Sequence, residues 1–120
     1  MLNSKVKTSV IVLALLISGC ASVSVQNRQV QTLQVLQRLD EFQNLVVDLY
    51  HDKQISPEHA VLYSKFVVSS TKTIKEVPNG WQPVVKNGWV ELKKLVPIDK
   101  MELKIQIAAD VLDTLLMGLK

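Results

Sequence analysis

The feature that most constrains the fold is a row of apolar residues near the carboxyl terminus, spaced alternately by four and three positions. Its members are Met101, Ile105, Ala108, Leu112, Leu115 and Leu119. Four further apolar residues widen this surface: Leu103, Ile107, Val111 and Leu116. An α-helix turns once in about 3.6 residues, so the spacing keeps the row on one face. A half-buried strand would instead alternate apolar and polar residues. The row therefore predicts an amphipathic helix.

Polar residues around this last helix bear on its start and its surroundings. Asp99 and Glu102 have the spacing of a capping box, in which each side chain satisfies a backbone N–H at the helix start. Lys104, Asp110 and Asp113 argue against a membrane span, because each charge would cost about 2.5–3.5 kcal/mol in hydrocarbon. We expect this helix to be the central helix of a bundle. The alternative is a helix whose outer face contacts a partner or a membrane surface.

Two earlier segments have the same helical spacing. The first carries Val30, Leu33, Val35, Leu36, Leu39, Phe42, Val46 and Leu49. The second carries Ala60, Tyr63, Val67, Ser70, Ile74 and Val77. Ser56 and Pro57 supply an N-cap oxygen and a first-turn proline, which predict the start of the second helix. Pro78 and Gly80 predict its end. Because the connection between the two segments is short, we expect an antiparallel helical hairpin.

An eight-residue pattern occurs twice in succession, as Asn79-Gly80-Trp81 and then Asn87-Gly88-Trp89. Pro83 suits a first helical turn, and Pro97 closes a short helix with a stripe of Val85, Trp89, Leu92 and Val96. The two tryptophans are candidate partner contacts or headgroup anchors. Alternatively both pack into the bundle, because tryptophan is highly buried on average. Together the segments predict one all-α domain, a small bundle of three or four amphipathic helices, over residues 35–120.

The amino-terminal residues 1–19 have the organisation of an export signal. Lys5 and Lys7 precede an uninterrupted apolar run from Val10 to Ile17, which ends in small residues. The run is too short to span a bilayer, for which a helix needs roughly 20 apolar residues. We therefore expect a cleaved signal peptide rather than a permanent span.

The residues Ile17-Ser18-Gly19-Cys20 resemble the lipobox of bacterial lipoproteins, in which a branched apolar residue and two small residues precede a cysteine. The resemblance covers the leader alone. It implies cleavage before Cys20, diacylglycerol on the Cys20 sulfur and acylation of the new amino terminus. Each buried methylene contributes about 0.8 kcal/mol, so several chains hold a protein at a membrane. In enteric-type bacteria an aspartate in place of Ala21 would resemble the inner-membrane retention signal, so we expect the outer membrane, facing the periplasm.

Removal of the leader changes the composition. Of 120 residues, 101 remain, which is enough for one compact domain. Two of the 14 Lys and Arg lie in the leader, which leaves 12 against 11 acids and a net charge of +1. Without a basic patch or a nucleic-acid motif, we expect no nucleic-acid partner. Residues 20–34 are polar and form either a tether beside the lipid or the start of the first helix.

Several ionisable residues cluster around the connection between the first and second predicted helices. They are Asp48, His51 and Asp52, followed by Glu58 and His59. Histidines and carboxylates bind zinc, which makes His51 and His59 candidate metal ligands, although their spacing matches no zinc signature. No serine stands in a nucleophile-elbow context, and no glycine-rich phosphate loop is present. The sequence therefore predicts a non-catalytic protein without a cofactor.

These features predict a membrane-anchored lipoprotein whose helical domain has an interaction or structural role. Its expected partners are the membrane, through the lipid on Cys20, and either an envelope protein or a second copy of the chain. One alternative is a phage- or prophage-type envelope lipoprotein that acts in lysis or superinfection exclusion. The other is a small metal-binding protein or enzyme that uses His51 and His59.

Overall fold

The computed structural model describes the backbone of residues 20–119 and the side chains of residues 29–119. The predicted signal peptide, with lipobox residues Ile17, Ser18 and Gly19, lies outside the described residues, as does the side chain of Cys20.

The described residues form four α-helices and one 3₁₀ turn, and they contain no strand. In chain order the elements are α1 Cys20–His51, α2 Pro57–Glu76, α3 Trp81–Leu95, the 3₁₀ turn Ile98–Lys100 and α4 Leu103–Met117. The predicted all-α bundle is confirmed. Residues 20–34 are the first part of α1. The hydrophobic core lies within one compact unit, Gln34–Lys120. Among the described residues, no helix combines the length and apolar composition that a membrane crossing requires.

Helix α1 contributes a single buried row to the core. The row consists of Val35, Leu39, Phe42, Val46 and Leu49. Val30 and Leu33, which the spacing placed in the same stripe, are exposed. The reason is geometric. At about 3.6 residues per turn, Leu33 points almost opposite to Val35, and Val30 also points well away from it. The buried stripe therefore begins at Val35.

The turn between α1 and α2 is built from two helix caps. Lys53 has a left-handed backbone with φ of 59°. Its N–H donates to the carbonyl of Tyr50, and the N–H of Gln54 donates to the carbonyl of Leu49 at 2.8 Å. This pair of bonds is the Schellman arrangement that satisfies the last carbonyls of a helix. At the start of α2, the Ser56 hydroxyl accepts from the N–H of His59 at 3.1 Å, so the predicted cap is confirmed.

The predicted capping box of α4 is wrong. Helix α4 begins at Leu103, so Glu102 is the N-cap residue, and its side chain makes no capping hydrogen bond. Asp99 lies in the preceding 3₁₀ turn. Gln106 instead donates from its side chain to the carbonyl of Met101 at 2.9 Å. The Glu102 carboxylate is bound by side chains of α2, so a tertiary contact replaces the local cap.

Helix α4 buries one face and leaves the opposite face in solvent. The buried residues in α4 and immediately beside it are Met101, Ile105, Ala109, Leu112, Leu116 and Leu119. Ala108 and Leu115, which the sequence placed in the central row, lie at the edge of this core. Leu103, Ile107 and Val111 are exposed. The prediction that Leu103, Ile107 and Val111 widen the buried surface of a central helix is therefore wrong, because α4 is covered on one side only.

Candidate functional site

The two tryptophans proposed as partner contacts are core residues, and both side chains are 0% exposed. The Trp89 ring lies edge-on to Phe42, with centroids 6.3 Å apart, and tilted against Phe66 at 5.3 Å. Aromatic rings favour such tilted and edge-to-face contacts. The partner-contact hypothesis for Trp81 and Trp89 is therefore incorrect, and the alternative of packing into the bundle is confirmed. Helix α3 turns both rings inward because they occupy the same stripe as Val85.

Asp113 forms a polar cluster that joins α4 to α3. One carboxylate oxygen, Oδ1, accepts from the Trp89 indole N–H at 2.7 Å and from the Lys93 ammonium at 2.7 Å. Burial by itself would raise the pKa of Asp113. The hydrogen bonds from Lys93 and Trp89 together outweigh burial and hold this pKa below its ordinary value. The cluster also satisfies the buried N–H of Trp89, so its role is structural.

Glu102 forms a second polar cluster, which joins the start of α4 to α2. Its Oε1 accepts from the Tyr63 hydroxyl at 2.9 Å, and its Oε2 lies 3.0 Å from Nδ1 of His59. Burial, followed by the hydrogen bond to Glu102, raises the pKa of Tyr63. A buried phenol held neutral beside a carboxylate is a stable donor. These bonds join the start of α2 to the start of α4. They occupy both carboxylate oxygens of Glu102 and the hydroxyl of Tyr63.

The candidate metal ligands are not brought into a common site. His51 is exposed at the end of α1, whereas His59 is half-buried and bound to Glu102. In the part of the chain that the structure describes, no three His, Cys, Asp or Glu side chains are grouped so that they could hold a metal ion. The geometry therefore gives no support to a metal centre at His51 and His59.

An exposed apolar row on α4 is the most distinctive feature of the described surface. Leu103 is 75% exposed, Ile107 67% and Val111 45%. The three residues are four positions apart, so they lie along one face of the helix. We refer to them as the α4 row. Single exposed apolar residues are common on protein surfaces, whereas contiguous ones mark interaction sites. The α4 row is therefore the candidate functional surface.

Two charged residues flank the α4 row. Lys104 and Asp110 are both exposed, and within the described residues neither has an ion-pair partner. At about 3.6 residues per turn they lie on opposite sides of Ile107. A polar rim around an apolar centre is the usual anatomy of a protein interface. These two side chains are thus available to pair with charges on another molecule.

A groove between α1 and α4 runs beside the row. Its volume is about 340 Å³. The groove is lined by Arg38, Glu41, Phe42, Leu45, Lys104, Ile107, Ala108 and Val111. Arg38 and Glu41 form an exposed ion pair at 2.9 Å on its α1 side. Ile107 and Val111 therefore belong both to the α4 row and to the wall of this groove.

A larger groove of about 680 Å³ lies between α1 and α2. Most of its lining is polar or charged, including Asp40, Gln43, Thr71 and Lys72. The α4 row does not border this groove, although the groove encloses twice the volume of the α1/α4 groove. Volume alone does not identify a site, so we assign the candidate surface by its exposed apolar residues.

The apolar pattern predicted that the α4 row belongs to the buried surface, but these residues are exposed. They recur every four positions, whereas the buried residues of this region are spaced by four, four, three, four and three positions: Met101, Ile105, Ala109, Leu112, Leu116 and Leu119. The chain matches no protein-family model, no curated protein and no solved structure.

Proposed function

We propose that this protein is a lipid-anchored component of the bacterial cell envelope, and that its helical domain binds a protein partner through the α4 row. The proposal assigns a binding role rather than a catalytic one. The anchor is the lipid on Cys20, and the expected address is the periplasmic face of the outer membrane.

The observation that carries the binding role is the exposure of Leu103, Ile107 and Val111 on one helix face. Each large aliphatic side chain that leaves water contributes about 1.5–3 kcal/mol, so three in a row represent a substantial driving force for association. The neighbouring groove widens the apolar surface on the α1 side. An amphipathic helix laid along such a row and groove is a common recognition mode.

Two polar clusters support the same proposal by keeping α4 in place. Asp113 binds α3, and Glu102 binds α2, so α4 is held near each of its ends. A surface on a rigid element loses little conformational entropy when a partner binds. Helix α4 can therefore present the row without first becoming ordered.

The anchor rests on the leader and on the lipobox resemblance at Cys20. We expect the wild-type chain to incorporate labelled palmitate and to sediment with outer membranes. A Cys20→Ser variant should lose the label and remain in the soluble periplasmic fraction or keep its leader. Ser22→Ala is the matched control, because it alters a neighbouring residue outside the lipobox. Outer-membrane association of unlabelled Cys20→Ser protein from which the leader has been cleaved would contradict the lipid anchor.

The binding surface is tested by a photo-crosslinking amino acid placed at position 107 in intact cells. Position 61 is the control, because Val61 is exposed on α2 and lies outside the row. We expect a discrete crosslinked product from position 107 and none from position 61. Equal yields from both positions, or no product from position 107, would contradict a binding role for the α4 row.

A further inference from the structure

We draw no further inference here: the strongest candidate, the groove of about 680 Å³ between α1 and α2, is lined by two acids, Asp40 and Glu76, and two lysines, Lys72 and Lys75, so its charges balance, and nothing in the structure shows what covers it.

Discussion

The Tyr63 hydroxyl donates to the Glu102 carboxylate at 2.9 Å, which joins a buried ring of α2 to the residue that precedes α4. This bond crosses 39 positions of sequence and occupies an acid that would otherwise be free to cap α4. It also holds the end of the helix that carries Leu103. The geometry of the exposed α4 row therefore depends on contacts made on the other side of the helix.

Tyr63→Phe should lower the free energy of unfolding by about 1–2 kcal/mol, because the ring stays packed while a hydrogen bond to a carboxylate is lost. Urea denaturation measures the difference. Tyr50→Phe is the matched control, since the Tyr50 side chain is exposed, and its effect should stay within about 0.5 kcal/mol. Equal effects of the two substitutions would contradict a stabilising role for the Tyr63–Glu102 bond.

The stability of the fold should depend on pH through Asp113. Its pKa is lower in the folded state than the ordinary value of 3.8, so the stability it contributes is fully present above that ordinary value. This contribution is lost as the pH falls through the lowered, folded pKa. Asp113→Asn should therefore be less stable than wild type at neutral pH, and the difference should shrink in acid.

Thermal unfolding at a series of pH values measures this difference. Asp110→Asn is the control for Asp113→Asn, because Asp110 is exposed and makes no ion pair with the described residues. Its stability relative to wild type should vary little over the same series. A constant gap between wild type and Asp113→Asn at every pH would show that the carboxylate charge is not the source of the stability.

Gly88→Ala should raise the free energy of unfolding by about 0.5–1 kcal/mol, because glycine inside a helix has a large conformational entropy in the unfolded chain. The added methyl would meet the Phe66 ring at 3.7 Å, an ordinary contact distance. Gly118→Ala is the contrasting variant, because its methyl would lie 3.1 Å from the carbonyl oxygen of Thr114. Chemical denaturation should show a gain for the first substitution and none for the second.

Lys53→Gly should stabilise the protein by about 0.5–1 kcal/mol, because Lys53 has φ of 59° and glycine adopts the left-handed region without steric cost. Lys53→Ala provides the control, since alanine removes the charge but keeps the unfavourable backbone. It should give no such gain in the same denaturation experiment. Equal stabilisation by both variants would assign the effect to charge rather than to backbone conformation.

The proposed outer-membrane address predicts that Ala21→Asp moves the protein to the inner membrane when it is expressed in an enteric-type host. The aspartate would then resemble the retention signal that such bacteria read at this position. Ala21→Ser is the control, because serine is similarly small and uncharged. Density-gradient separation of the two membranes measures the distribution. An unchanged distribution for Ala21→Asp would contradict the proposed sorting.

The positions of the helices followed from local features of the sequence. Ser56 and Pro57 begin α2 because a hydroxyl and a preset φ act within one helical turn. The apolar periodicity placed α1 from Val35 onward for the same reason, since neighbouring turns of one helix are close whatever surrounds them. Such interactions need no knowledge of the rest of the fold.

Tertiary structure alone decided which surfaces are buried and which polar groups meet. Helix α4 has apolar residues on two faces, and only the packing of the other helices selected Ile105 over Ile107 for the core. Glu102 bound Tyr63 rather than its own helix, because a buried donor from α2 was within reach. The Trp89 ring lies in the core because α3 packs beside Phe42 and Phe66. Sequence periodicity determines the helices, whereas burial depends on neighbours that are distant along the chain.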